Sequence, residues 1–91
     1  MSKRYSIVYK SSAQRDLDKL RKNDQRAADK VKAAIDKLAD DPRPWGASKL
    51  SGHAEYRIAV NNHRVIYEIS DAQITVTVVK IGDRKEVYRG W

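Results

Sequence analysis

The spacing of hydrophobic residues along the chain changes twice, and each change separates one set of predicted elements from the next. Near the start, Tyr5, Ile7 and Tyr9 alternate with a serine and a valine in a run rich in aromatic and β-branched residues. A period of two in such residues is typical of a β-strand with one apolar face. The pattern predicts a first strand over residues 4–9.

Helical spacing follows the first strand. Apolar residues recur every three or four positions over residues 12–22, and Ser11 and Gln14 have the spacing of a capping box. A longer apolar stripe covers residues 27–38 and ends before the helix breaker Pro42. We predict two helices, folded into a hairpin by the short connection between them.

The period returns to two in the second half of the chain. Residues 55–60 and 63–69 alternate apolar and polar side chains, and Asn61-Asn62 between them tolerates the positive φ of a tight turn. Residues 73–81 are the most β-prone segment, with valine and isoleucine on both faces, as in a central strand buried on both sides. These segments predict a β-hairpin followed by a central strand.

Together the elements predict a single α+β domain spanning residues 1–91. The N-terminal strand and the two-helix hairpin are expected to pack on one face of a mainly antiparallel sheet of about four strands. A chain of 91 residues is too short for two hydrophobic cores. The sequence contains no internal repeat and no low-complexity linker.

Composition narrows the functional classes. Nineteen Lys and Arg residues against twelve Asp and Glu give a net charge of +7, which favours a polyanionic partner. The chain has no cysteine, so disulfides and thiolate metal sites are excluded. No apolar run reaches the length of a membrane span, and the first residues lack the apolar stretch of a signal peptide. We expect a cytoplasmic protein with no membrane partner.

Several kinds of active site find no support in the sequence. His53 and His63 are the only histidines, and neither has a metal-ligand spacing with Asp or Glu, so no metal is expected. The four glycines are not spaced as a phosphate-binding loop, and no serine lies in a nucleophile-elbow sequence. We therefore expect no cofactor and neither nucleotide hydrolysis nor serine hydrolase chemistry.

Arginines on the predicted hairpin strands are the first candidates for function. Pairing through the tight turn sets Arg57 and Arg64 diagonally on one sheet face, within reach of one polyanion. A phosphate would explain why two like charges lie so close, because guanidinium groups bind its oxygens in a bidentate manner. The alternative is two solvated arginines on an open face, and the pattern alone leaves both interpretations open.

A basic segment with one tyrosine follows the predicted central strand. Arg84, Lys85, Tyr88 and Arg89 combine cations with an aromatic ring, a composition suited to single-stranded RNA or DNA. The segment forms either a last short strand or a tail. In the alternative interpretation, Tyr88 packs on the core and Arg84 pairs with a neighbouring carboxylate.

Four segments, taken in order, resemble the RelE/ParE superfamily of bacterial toxins. They are Lys49-Leu50-Ser51-Gly52, Tyr56-Arg57-Ile58, residues 63–69 (HRVIYEI) and residues 79–88 (VKIGDRKEVY). The likeness extends over nearly the whole chain, including the order of strand, two helices and sheet. It implies a RelE-like fold and a toxin held inactive by an antitoxin encoded beside it.

The resemblance to RelE-type toxins also implies an activity and residue roles. The activity is ribosome-dependent cleavage of messenger RNA in the A site, with the RNA 2′-hydroxyl as nucleophile, which inhibits translation. Tyr88 matches the general base, Arg84 the arginine that protonates the leaving 5′-oxygen, and Arg64 an arginine that stabilises the phosphate. Arg57 matches a catalytic-face position that carries lysine or arginine. The basic residues expected to contact RNA are Lys49, His63, Lys85 and Arg89.

One position departs from the RelE pattern. Ala59 stands where such toxins have a second basic residue on the same strand face, and Lys49 or His63 could substitute from nearby. The alternatives are a ParE-type toxin, which has the same fold but blocks DNA gyrase through protein contacts, and a non-toxic basic nucleic-acid-binding module. The retained arginines and tyrosine favour the RelE type.

Either type of toxin implies an antitoxin partner. We expect a short acidic protein whose helix covers the basic sheet face or packs where the C-terminal segment lies. The charge of +7 favours fast, electrostatically steered association with it. The further partners implied for the RelE type are the ribosome and messenger RNA, with operator DNA bound only through the antitoxin.

Overall fold

The computed structural model describes residues 4–88, which form two helices and a five-stranded sheet. The elements are β1 (Ser6–Tyr9), α1 (Ser11–Asn23), α2 (Gln25–Lys37), β2 (Ser48–Lys49), β3 (Tyr56–Val60), β4 (His63–Ser70) and β5 (Thr75–Asp83). In space the strands lie in the order β1-β5-β4-β3-β2. β1 pairs parallel with β5, and the other neighbouring pairs are antiparallel.

The predicted α+β fold is confirmed, with one strand more than expected. The N-terminal strand was expected on a face of the sheet, but β1 is an edge strand of the sheet itself, paired with β5. The additional strand is β2, in which Ser48 and Lys49 pair with Arg57 and Tyr56. Two residues are too few to show a period in sequence, so the pattern could not reveal this strand. Residues 84–88 form turns and not a further strand.

Both helices form over the predicted apolar stripes, but the capping box proposed for α1 is wrong. The N-cap of α1 is Lys10, which has no side-chain cap, and Ser11 is already helical. Lys10 keeps an extended backbone, and its N–H donates to the Val78 carbonyl at 2.9 Å. The helix therefore starts directly from β1. By contrast, α2 is capped by Asp24, whose Oδ1 accepts from the Ala27 N–H at 3.1 Å.

The hydrophobic core lies between the two helices and one face of the sheet. Helix residues such as Leu17, Val31 and Ile35 pack against Val65 and Val76 of the sheet, and all of these are almost fully buried. Burial of such aliphatic side chains stabilises a fold by roughly 1.5–3 kcal/mol each. The opposite sheet face carries no helix, and this is where the predicted arginines lie.

A β-bulge explains the apolar pattern of β5. Pairing between β4 and β5 shifts between Ile66 and Tyr67, which leaves Val79 without a partner. The shift brings Val76, Val78 and Ile81 into the same core, although their spacing is not a period of two. β5 is an interior strand as predicted, but its apolar residues do not divide between two buried faces. The middle strand of the sheet is β4.

Helix α1 continues along the edge of β5 where β1 ends. β1 pairs only with residues 75–78 of β5. Beyond them, the Ser12 hydroxyl donates to the Val79 carbonyl at 3.1 Å, and the Asp16 carboxylate accepts from the Ile81 N–H at 3.2 Å. These side chains satisfy backbone groups that an open strand edge would expose. The second half of β5 is thereby fixed as the base of the C-terminal segment.

Candidate functional site

β3 and β4 form the predicted hairpin in the predicted register. Arg57 pairs with Ile66, and Ala59 pairs with Arg64. Asn61 has a φ of 55°, the left-handed conformation that the tight turn requires. Because paired residues share a face, Arg57 and Arg64 lie in diagonal positions on the face opposite the helices.

The C-terminal segment, residues 84–88, begins with a tight turn organised by Asp83. Its Oδ1 accepts from the Lys85 N–H at 2.8 Å, and its backbone carbonyl accepts from the Glu86 and Val87 N–H groups at 3.0 and 2.9 Å. One residue thus satisfies three donors. The turn reverses the chain immediately after β5 and directs the segment back towards the sheet.

Val87 anchors this segment by burial. It is fully buried, and a Cβ built on Gly82 would lie 3.6 Å from that of Val87. Ile66, which faces the side without helices, is fully buried as well. The C-terminal segment therefore covers part of this face. The next residue, Tyr88, is delivered to the sheet surface by that anchor.

The structure brings Arg57 and Tyr88 into direct contact. Arg57 Nη1 donates to Tyr88 Oη at 2.7 Å, and the guanidinium carbon lies 5.8 Å from the ring centroid. Both residues are half-buried. A cation at hydrogen-bond distance stabilises negative charge developing on a phenolic oxygen. This pair is the most specific chemical feature of the open face.

Arg64 lies on the same face but makes different contacts. Its Nη1 donates to the backbone carbonyls of Asn61 and His63, each at 3.0 Å. The guanidinium is turned towards the hairpin turn and not towards Tyr88. Both acceptors are neutral, so these hydrogen bonds place no negative charge beside the Arg64 guanidinium.

Arg84 is tied to the same turn through its backbone. Its N–H donates to the Asn62 carbonyl at 2.9 Å, and its side chain is exposed. The alternative in which Arg84 pairs with a carboxylate is not observed, since no salt bridge within residues 4–88 includes Arg57, Arg64 or Arg84. Nor does Tyr88 pack on the core, because its hydroxyl contacts Arg57 on the opposite face of the sheet.

The remaining predicted RNA-contacting residues are dispersed. Lys49 pairs with Tyr56 and His63 with Val60, so both face the helix side of the sheet. Neither can replace the basic residue missing at Ala59, because successive residues of a strand point to opposite faces. Lys85 is exposed on the C-terminal segment. Arg89, also expected to contact RNA, lies outside the described residues.

A polar cluster that the sequence did not reveal lies at the other end of the sheet. Arg43 donates to both oxygens of Asp71, at 3.2 and 2.9 Å, and its Nε donates to Tyr56 Oη at 3.3 Å. Tyr5 Oη also donates to Asp71, at 2.6 Å. These hydrogen bonds hold the pKa of Asp71 below its ordinary value.

Tyr67 fixes the loop that carries Arg43. Its hydroxyl donates to the Pro42 carbonyl at 2.7 Å, and its ring stacks on Tyr56 with centroids 6.0 Å apart. Burial raises the pKa of Tyr67 to about 12. The hydroxyl therefore stays protonated at neutral pH and remains a donor. The cluster joins distant loops and turns, so no sequence spacing could identify it.

Residues 4–88 contain no group of three His, Asp or Glu side chains that could hold a metal ion. Within the same range, no helix is long and apolar enough to cross a membrane.

Comparison with known proteins identifies the class to which this fold belongs. The family model described as the ParE toxin of the type II toxin-antitoxin system, parDE, matches residues 7–88. A match over nearly the whole chain defines a toxin of a type II toxin–antitoxin system. The chain belongs to the ParE toxin family, within the RelE/ParE superfamily. No curated protein matches it.

Solved structures of such toxins confirm the RelE-like fold. The YoeB/ParE toxin from Agrobacterium tumefaciens is 19% identical, with a TM-score of 0.77 over 86% of this chain and 96% of that chain. The isolated E. coli RelE toxin is 24% identical, with a TM-score of 0.75 over 94% and 93%. The structure of the RelBE2 toxin–antitoxin complex from Mycobacterium tuberculosis is 24% identical, with a TM-score of 0.71 over 89% of this chain and 99% of that chain.

Proposed function

We propose that this toxin is a RelE-type endoribonuclease that cuts messenger RNA in the ribosomal A site. The observation that carries the proposal is the contact of Arg57 with Tyr88, at 2.7 Å on an otherwise open sheet face. A toxin that acts only through protein contacts has no need of a phenolic oxygen held against a guanidinium. The arginines around this pair have no carboxylate partner within residues 4–88.

The reaction uses the substrate's own hydroxyl group. Tyr88 removes the proton of the RNA 2′-hydroxyl, and the 2′-oxygen attacks the adjacent phosphorus. A new bond forms between the 2′-oxygen and phosphorus, and the bond from phosphorus to the 5′-oxygen breaks. The products are a 2′,3′-cyclic phosphate and a 5′-hydroxyl end. Arg84 donates to the leaving 5′-oxygen and supplies its proton.

Only the phenolate form of tyrosine can act as the base, and it is scarce at neutral pH because the reference pKa of tyrosine is about 10. The role of Arg57 is to stabilise the phenolate that accepts the proton. When RNA binds, Arg64 donates to a phosphate oxygen in place of its two neutral carbonyl acceptors. The hydrogen bond to phosphate is stronger because it is charge-assisted. The missing cation at Ala59 leaves Arg64 and Arg84 to stabilise the charge that develops on the phosphoryl oxygens.

An antitoxin partner is supported by the similar structures, which include RelBE2 and YoeB–YefM toxin–antitoxin complexes. In this proposal the antitoxin is a short acidic protein that covers the arginines of the open face or displaces the C-terminal segment. The ribosome and messenger RNA are the remaining partners. The toxin then acts in the cytoplasm, and it reaches operator DNA only through its antitoxin.

Primer extension on messenger RNA from a translation extract tests the nuclease directly. The wild-type toxin is expected to produce cuts at fixed positions within codons. Tyr88→Phe should abolish them, because it removes only the hydroxyl group that acts as base. Tyr5→Phe is the matched control, since it removes an equivalent hydroxyl group from the opposite end of the sheet. Intact messenger RNA with the wild-type toxin, or full cleavage by Tyr88→Phe, contradicts the proposal.

The ParE family match favours a second candidate, a non-enzymatic poison of DNA gyrase. This function predicts DNA-damage signalling and stalled replication while messenger RNA stays intact. It also predicts that Tyr88→Phe remains as toxic as the wild type. Cell growth and DNA-damage signalling after induction of the wild type and of Tyr88→Phe therefore separate the two candidate functions.

A further inference from the structure

A second basic surface lies on the helix side of the hairpin turn. Here the first turns of α2 and the β3–β4 turn enclose a groove of about 240 Å³. Its polar lining includes Arg26 and Lys30 from the helix and Asn61, Asn62 and His63 from the turn. We call this the turn groove. It is separate from the open face that carries Arg57 and Tyr88.

The two cations of the turn groove are not engaged in structural contacts. Arg26 and Lys30 are exposed, and neither belongs to a salt bridge within residues 4–88. The one acidic residue lining the groove, Asp24, is occupied as the cap of α2. Both positive charges are therefore available to an anionic ligand.

Arg26 is also unfavourable for the helix that carries it. The first turn of α2 contains no acidic residue, and a cation there opposes the helix macrodipole. The Asp24 carboxylate at the N-cap already lies at the positive end of the dipole, so a bound anion would compensate for the cation itself. The position of Arg26 is therefore better explained by a ligand than by the stability of the fold.

The lining of the turn groove favours a phosphodiester strand. Only Val60 and Ala27 provide apolar lining, so an apolar helix face would gain little. Guanidinium, ammonium and amide N–H groups are the donors that bind phosphate oxygens.

The turn groove is continuous with the open face through the hairpin turn. Arg64 donates to the Asn61 carbonyl, and the Arg84 N–H donates to the Asn62 carbonyl, so both arginines border the turn from the other side. We infer that the turn groove binds backbone phosphates of the RNA strand beyond the point of cleavage, as the strand bends around the turn. This inference rests on the function proposed above.

The test is binding of a fluorescent single-stranded 2′-O-methyl RNA oligonucleotide, which cannot be cleaved, measured by anisotropy over a range of salt concentrations. The variant is Arg26→Gln with Lys30→Gln. The control is Arg15→Gln with Lys37→Gln, which removes the same two residue types and the same charge from exposed helix positions elsewhere.

The groove variant should bind roughly tenfold more weakly than the control at low salt. Its slope of log affinity against log salt should fall by about 1.4, since each phosphate contact contributes about 0.7 with single strands. Equal behaviour of the two double variants would show that only net charge matters and would overturn the inference. So would a groove variant that loses affinity for the antitoxin encoded beside the gene while binding the oligonucleotide normally.

Cleavage of messenger RNA by the same proteins separates this inference from the nuclease proposal. A wild-type toxin that binds the oligonucleotide through the groove but makes no cuts contradicts the nuclease alone. A wild-type toxin that cuts, with the groove variant binding like the control, contradicts the groove alone. Thermal unfolding shows that the variants are folded, and Arg26→Gln is expected to cost no stability.

Discussion

The arginines around β4 are held in two opposite ways. Beside the β4–β5 turn, Arg43 is neutralised by two hydrogen bonds to Asp71 and lies 5.5 Å from the centroid of the Tyr56 ring. On the open face, Arg57, which pairs with Ile66 in the middle of β4, donates to a phenol, and Arg64, beside the β3–β4 turn, donates to two carbonyls. The difference shows that a charge count does not identify functional cations. A guanidinium without a carboxylate partner keeps its capacity to bind phosphate.

The largest expected effect comes from removing one arginine of each kind. Arg57→Gln should reduce messenger RNA cleavage roughly 100-fold with little change in Tm, because it removes charge beside the reacting oxygen. Arg43→Gln should leave cleavage near the wild-type rate and lower Tm by roughly 2–5 °C. Primer extension and thermal unfolding of both variants measure these effects. If both variants lost activity and stability in parallel, the contrast between a structural Arg43 and a functional Arg57 would be wrong.

A smaller effect is expected from the anchor beneath Tyr88. Val87→Ala leaves a cavity under the C-terminal segment and should cost about 2 kcal/mol of stability. It should also lower cleavage roughly tenfold, because a small displacement of a catalytic group is costly. Val31→Ala is the control, since Val31 is equally buried in the core far from the site. Under conditions where both variants are folded, a similar loss of activity in Val31→Ala would contradict the positioning role of Val87.

How well the sequence predicts these features depends on their range. The hairpin register was predictable because a two-residue turn and a period of two leave one pairing that buries the apolar face. The bulge at Val79 was not predictable, because it depends on the pairing of β5 with β4. The contact of Arg43 with Asp71 joins residues 28 apart in a loop and a turn. Resemblance identified Arg64, but not the carbonyl groups that its side chain contacts.

The smallest expected effect is a pH-dependent loss of stability at the contact between Arg43 and Asp71. The pKa of Asp71 is lowered by hydrogen bonds from Arg43 and Tyr5. Its contribution to stability is therefore present above the ordinary Asp pKa of about 3.9 and is lost as pH falls through the lower value in the folded state. Asp71→Asn should lower Tm at pH 7, and the difference from wild type should shrink below about pH 4. A difference that stayed constant down to pH 3 would exclude Asp71 ionisation as its cause.

The parallel pairing of β1 with β5 also determines when this protein can become harmful. Ser6 pairs with Thr75, so β1, the first strand to be synthesised, cannot pair until β5, the last strand, has been made. Contacts so distant in sequence slow folding and require the whole intervening chain. During translation, which proceeds from the N-terminus, β4 lacks its neighbour β5, and Tyr88 is made later still. A toxin built in this order cannot complete its sheet until nearly all of the chain has been synthesised.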